Sequence, residues 1–187
     1  MSIATKAGDQ GTTNLMYRRK VSKCHPRVEA YGAVDELNAA LGMARAMAAD
    51  RGVRENLRSI QKDLVIVMGE LATLTEDLRR YAADGYPLVT SELTNRLNGM
   101  IAELEPRLGP FRGWATPGES SGAAALEVAR ATCRRAERRV CALHEARQLE
   151  NSEILIYLNR LGDLLWLFAR GEERQRGIPG QSDQASK

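Results

Sequence analysis

Histidine, cysteine and aromatic residues are scarce in this 187-residue chain, and each scarcity excludes a class of function. The two histidines, His25 and His144, carry no HxxxH, ExxH or CxxC spacing around them. That argues against a zinc site held by the protein, and no metal ligand is assigned. The three cysteines, Cys24, Cys133 and Cys141, are odd in number and read as reduced thiols, two of them small apolar residues inside a predicted helix. No Ser-His-Asp or Cys-His pairing can be assembled. A catalyst made from this chain must therefore take its nucleophile from a substrate or cofactor, with the protein supplying position and charge.

Other absences narrow the setting. The longest apolar run, Leu164 to Ala169, is far too short to span a bilayer. The opening residues hold no apolar stretch of the secretory kind, so the expected location is the cytoplasm. Charge of one sign is also lacking: 27 basic residues stand against 24 acidic ones, a net of +3. A surplus that small does not make a nucleic-acid or membrane binder, and any anion recognition must be local. Aromatics are 5% of the chain while Ala, Leu, Arg and Glu abound, which favours helices over strands.

The length fits one domain with a proper core. Residues 1–25 carry Gly8, Gly11 and several threonines without helical period, which predicts an ordered loop. A first helix is predicted from about Val28 to Ala49. A second follows an unbroken three-four repeat of Leu57, Ile60, Leu64, Val67, Leu71, Leu74 and Leu78. A third is announced by the capping signal Thr90-Ser91-Glu92 and carries Leu93, Leu97 and Leu104, before Pro106, Gly109, Pro110 and Gly113 break the pattern. A fourth runs from about Ser121 to Glu145. A fifth carries Ile154, Leu158, Leu161, Leu165 and Phe168, with Leu155, Leu164 and Trp166 widening its apolar face into either a bundle centre or an oligomer contact. From Gly171 onward the composition is that of a polar tail. The predicted fold is all-α, a five-helix antiparallel bundle with an N-terminal loop, with 1–173 as the single domain and 174–187 as a flexible tail.

The fourth helix holds the most informative pattern. Leu126, Ala129, Cys133, Ala136, Val140 and Leu143 form one buried stripe, while Arg130, Arg134, Glu137 and Arg138 lie away from it. Guanidinium groups one turn apart repel by roughly 0.2–0.5 kcal/mol per close pair. An anionic ligand or a partner carboxylate would relieve that repulsion, as would a solvated face salt-bridged locally by Glu127 and Glu137.

Three further segments carry chemistry. Thr5-Lys6-Ala7-Gly8-Asp9-Gln10-Gly11-Thr12-Thr13-Asn14 has the glycines, hydroxyls and lysine needed to hold a polyphosphate, although it lacks the GxxxxGK[ST] order and Gly/Thr loops are common. Lys23 either closes over the same anion or is solvated. Asp35 and Asn38 lie adjacent on the first helix, either as exposed polar residues or with Asp35 paired to an arginine of a neighbouring subunit. Asn159 and Asp163 lie one turn apart on a mostly apolar helix, as buried hydrogen-bonding residues or as site residues.

Five pieces in register resemble one family, the ATP:cob(I)alamin adenosyltransferases of the propanediol-utilisation type. They are Thr5 to Thr13, Pro26-Arg-Val-Glu-Ala-Tyr-Gly-Ala-Val-Asp-Glu-Leu-Asn38, Trp114-Ala-Thr-Pro-Gly118, Arg130 to Arg139 and Tyr157-Leu-Asn-Arg-Leu-Gly-Asp163. The resemblance covers about residues 3 to 173. It implies a homotrimer with sites at the subunit interfaces, in which the 5′-deoxyadenosyl group of ATP moves to cobalt and triphosphate leaves. Co(I) of cobalamin, formed from cob(II)alamin, is itself the nucleophile, which matches the missing protein nucleophile. By position, Thr5, Lys6, Ala7, Gly8, Thr13, Asn14 and Lys23 would hold ATP. From the fourth and fifth helices, Arg134, Arg135, Ala136, Glu137, Arg138 and Asn159 would complete that site, with Arg134 neutralising the leaving triphosphate. Asp35 and Arg130 would pair across subunits on the corrinoid side, with Asp163 and Trp114 also at the corrinoid. Magnesium on the phosphates, a flavin-dependent reductase and an adenosylcobalamin-dependent enzyme are the implied cofactor and partners.

The chain departs from the family at Trp114, where Phe is usual; an aromatic ring on the lower corrin face leaves cobalt four-coordinate and easier to reduce. Glu119 for a common Gly, Gly162 for a frequent Ser, and Lys23-Cys24-His25-Pro26 are the other departures. Two further readings stand beside the enzyme: a non-catalytic bundle that carries corrinoid or ATP to a partner, and a scaffold or nucleic-acid module using the arginine helix. Charge balance and the glutamates in that helix disfavour the last.

Overall fold

The structure, a computed structural model, describes residue 4, residues 6–111 and residues 114–175. A short antiparallel hairpin, β1 (Thr12–Asn14) and β2 (Lys20–Ser22), precedes six helices. These are α1 (Pro26–Met47), α2 (Arg51–Leu71), α3 (Leu78–Ala83), α4 (Ser91–Leu108), α5 (Ser121–Glu145) and α6 (Glu153–Gln175). Five are long, and α3 is a short addition to the expected count. The α1 helix packs on α2 and α5, α5 packs on α6, and α6 packs on α4. No helix among the described residues is long and apolar enough to cross a membrane.

Local sequence sets the helix starts. His25 precedes Pro26 at the first helical position, and its ring Nδ1 accepts from the Arg27 N–H at 3.2 Å. Asp50 accepts from the Val53 N–H at 2.8 Å, and Ser120 accepts from the Ala123 N–H at 3.1 Å. The α5 helix occupies the span its pattern predicts. Its stripe of Leu126, Ala129, Cys133, Ala136, Val140 and Leu143 is completely buried, together with Leu37, Leu41, Leu57, Leu64, Tyr157 and Leu161. Each fully buried leucine contributes roughly 1.5–3 kcal/mol. Cys133, sealed in this core, has its thiol pushed up to about 12 by burial.

Three expectations need correction. The apolar repeat does not stay in one helix as far as Leu78: α2 ends at Leu71, the Thr73 hydroxyl donates back to the Gly69 carbonyl at 2.9 Å, and Leu78 opens α3. Pro106 does not stop α4, which runs through it to Leu108 and ends at Gly109 with φ +61°. The polar stretch from Gly171 is helical to Gln175, so Arg174 belongs to α6 rather than to a tail. The cause is a set of buried ion pairs: Arg170 bonds Glu127 at 2.9 Å and Glu173 at 2.8 Å, and Glu172 accepts from the N–H groups of Ala49 and Asp50, each at 2.9 Å. The remaining tail residues, 176–187, lie outside the described residues. The wide apolar face of α6 is the bundle centre, in contact with both α4 and α5.

Buried polar groups tie the links between helices. Glu70 accepts from the Val89 N–H at 2.7 Å and from Asn151 at 2.8 Å. Asp63 takes the Tyr157 hydroxyl at 2.9 Å and the Arg96 guanidinium. Arg27 donates to the carbonyls of Leu71 and Gln148 and to the Thr75 hydroxyl, joining α1 to the ends of α2 and α5.

At Gly122 a Cβ would stand 2.8 Å from the Glu172 carboxylate, 3.1 Å from the Met47 carbonyl and 3.2 Å from Ala48 Cα. Gly122→Ala is therefore expected to destabilise the bundle by about 1–3 kcal/mol in thermal or urea unfolding; a change below about 0.5 kcal/mol would show that the α1–α5 contact is not tight.

Candidate functional site

Two groups of side chains come from separate elements. The first lies on the N-terminal hairpin. Its register pairs Thr12 with Ser22, Thr13 with Val21 and Asn14 with Lys20. Gly11, at φ +74°, donates to the Gly8 carbonyl at 3.2 Å and accepts from the Lys23 N–H at 2.9 Å. A Cβ on Gly8 would lie 2.9 Å from Lys23 Nζ, so the glycine is what lets that ammonium lie against the loop. Lys6 sits at φ +58°, an uncommon conformation for a residue with a side chain. Ala7, Gly8, Thr13 and Asn14 thus share one loop with Lys6 and Lys23; Thr5 lies outside the described residues.

The hairpin is bolted to the bundle. Arg19 grips Asp77 with two bonds of 2.8 Å and reaches Glu76 at 3.3 Å. The Met16 N–H donates to the Ala72 carbonyl at 2.9 Å, and the Tyr17 hydroxyl donates to Asp84 at 2.9 Å beneath the Arg80 guanidinium. The Arg19 hydrogen bonds hold the Asp77 carboxyl below its usual value.

The second group lines the α5–α6 rim. Arg134 donates to Asn159 Oδ1 at 2.9 Å and to Glu137 at 2.9 Å. Its stem crosses Gly162, where a Cβ would stand 3.1 Å from Arg134 Cδ. Arg130 binds Glu127 through Nε at 2.6 Å. Arg135 pairs with Glu36 of α1, and Arg139 approaches Glu29 at 3.8 Å. Local carboxylates therefore answer most of the like-charge repulsion along α5. Arg138 is exposed and has no ion pair among the described residues. Asn159 and Asp163 are also exposed, Asp163 taking Arg160 at 3.3 Å, so they are rim residues and not core hydrogen-bonding groups. Ala136 packs its methyl group in the core.

A cleft of about 410 Å³ opens between α4, α5 and α6, lined by Arg130, Arg134, Arg160, Asp163 and Trp166 among others. Trp166 and Phe111 pack edge to face at the cleft, ring centroids 4.5 Å apart. Trp114 itself is 92% exposed. Asp35 is exposed as well, and it makes no hydrogen bond or ion pair among the described residues. No bond of either kind links residues 8–25 to α5 within the described chain. The structure thus gathers Arg130, Arg134, Glu137, Asn159 and Asp163 on one rim, and leaves the hairpin cluster and Asp35 apart from it.

The family model for cobalamin adenosyltransferase matches residues 3–172. The chain belongs to the cobalamin adenosyltransferase family. It is similar to the corrinoid adenosyltransferase PduO of Salmonella typhimurium, 40% identical over 92% of this chain and 50% of the relative, so it spans about half the length of that protein. The corrinoid adenosyltransferase of Bacillus subtilis is 37% identical over 95% of this chain and 90% of its own. Among solved structures, a variant PduO-type ATP:corrinoid adenosyltransferase from Lactobacillus reuteri complexed with cobalamin and ATP superposes with a TM-score of 0.87 at 31% identity, covering 95% of this chain and 97% of that one.

Motif reading gives no site role to Arg160 and Trp166, which line the cleft, or to Glu127, which holds the cleft residue Arg130. The Arg19–Asp77 clasp is equally hidden, since its partners are 58 positions apart.

Asp77 has a lowered folded-state value, so its stabilising contribution is present above the unfolded carboxylate value and disappears as pH falls through the folded one. Asp77→Asn is expected to speed amide hydrogen exchange at Leu15 and Lys23 at neutral pH while α1, α5 and α6 keep their protection. Unchanged hairpin exchange would show that the clasp does not hold it.

Proposed function

We propose that the chain transfers the 5′-deoxyadenosyl group of ATP to a corrinoid. The Co(I) lone pair of the corrinoid substrate attacks C5′, a Co–C bond forms, the C5′–O bond breaks with its electron pair leaving on oxygen, and triphosphate departs. The observation that carries this reading is the fixing of Arg134 between Asn159 and Glu137 across Gly162. A guanidinium already oriented needs no reorganisation when negative charge grows on the leaving group, which is where such a group lowers a barrier.

Lys23 and Lys6, with the hydroxyl of Thr13, supply the remaining positive and donor groups for a phosphate chain. In the proposed assembly, a trimer, the hairpin of one protomer meets the α5 rim of the next, where Arg135, Glu137 and Arg138 complete the nucleotide site. Exposed Asp35 pairs with Arg130 across the same junction. The exposed Trp114 gains a surface when corrinoid and neighbour are present, and Asp163 lies on that side. Magnesium would be held in this proposal by the phosphate oxygens and would offset their charge. A flavin-dependent reductase supplying reduced cobalt and an adenosylcobalamin-dependent enzyme taking the product complete the scheme.

Purified protein with ATP, magnesium, cob(II)alamin and a strong reductant is expected to convert the corrinoid spectrum to that of adenosylcobalamin, with one triphosphate per product. Arg134→Ala is expected to lower turnover by about 10²–10³-fold with helix content unchanged by circular dichroism. Corrinoid or ATP binding without turnover would instead support a carrier, and an Arg134→Ala variant as fast as the parent would remove that residue from the site.

A further inference from the structure

We infer that Glu127 is a positioning residue that presents Arg130 to the corrinoid side of the site, an inference that rests on the function proposed above. Glu127 is on α5, one turn before Arg130, and its carboxylate is almost wholly buried, 6% exposed. Each oxygen has its own arginine. Oε2 accepts from Arg130 Nε at 2.6 Å, and Oε1 accepts from the buried Arg170 of α6 at 2.9 Å. Arg170 is itself fixed by Glu173 at 2.8 Å. The carboxylate beneath Arg130 is therefore immobile, held from the neighbouring helix.

The consequence lies in which edge of the guanidinium is used. A guanidinium presents five N–H donors in a rigid plane. Glu127 occupies the Nε edge alone. The two terminal amino groups of Arg130 make no hydrogen bond among the described residues, and the side chain lines the cleft beside Arg134 and Asp163. An arginine gripped at Nε and free at its terminal edge is set to receive a second carboxylate or a polar ligand in bidentate geometry. Without Glu127 the stem of Arg130 regains its rotamers, and that entropy must be lost again on each binding event. Glu127 touches neither nucleotide nor corrinoid in this scheme; it acts through Arg130.

A double-mutant cycle in the assembled protein tests this. Glu127→Gln is expected to raise the KM for cob(II)alamin about tenfold, within the coupling range for contacting charged residues, while the KM for ATP stays within about twofold. In an Arg130→Ala background the same substitution is expected to add no further rise. Glu127→Asp retains charge against Arg170 and shortens the reach to Arg130; it is expected to show the same split, and it serves if Glu127→Gln does not fold. Equal rises in both KM values, or the same factor with and without Arg130, would overturn the positioning role. A wild type with no adenosyl transfer would overturn the function and this inference together, whereas an active wild type with an additive cycle overturns the inference alone.

Discussion

Everything in this molecule depends on one helix being small on one side and cationic on the other. The buried side of α5 offers Gly122, Ala123, Ala125, Ala129, Cys133 and Ala136, so α1 and α6 approach closely on either flank. That approach brings Glu36 beside Arg135, Asn159 beside Arg134 and Arg170 beside Glu127. Larger residues in the stripe would move the helices apart and break these polar contacts as surely as they would strain the core. Packing and site chemistry are consequences of the same spacing.

The second constraint is electrostatic. A row of guanidinium groups on a folded helix needs counter-charge, and the chain provides it unevenly. Arg130, Arg134 and Arg135 each have a carboxylate, while Arg138 and the hairpin lysines carry no ion pair among the described residues. The pairs preorganise the rim, and the unpaired cations leave room for an anion to add binding energy. Asp35 is the reverse case, an exposed carboxylate with no ion pair among the described residues. Complementary groups of this kind on one protomer are what an assembly of identical copies can satisfy.

Much of this was legible in the sequence because it is local. The α5 span follows from a sustained period, and the rim position of Arg134 follows from the same period. What was hidden depends on contacts distant along the chain. Leu74 and Leu78 continue the three-four spacing of α2, yet the helix has already ended, and the hydroxyl bond from Thr73 to Gly69 at that end is invisible to hydrophobic periodicity. The last turn of α6 reads as a polar tail because Arg170, Glu172 and Glu173 look solvated until Glu127 and the Ala49–Asp50 link are placed against them. The same blindness conceals the Arg19–Asp77 clasp and the burial of Glu127 against Arg170, since the sequence offers Glu127 only as a salt-bridge partner on a solvated face.

In the proposed trimer a nucleotide site forms only where the hairpin of one protomer meets the α5 rim of the next. Mixed assemblies of Lys23→Ala and Arg134→Ala chains measure this directly. Each variant alone carries a lesion in every site, but in a mixture some junctions combine an intact hairpin with an intact rim. Adenosyl transfer recovered in the mixture well above both parents is the expected result. A mixture as inactive as its parents would contradict a shared site and place both residues in one chain's own chemistry.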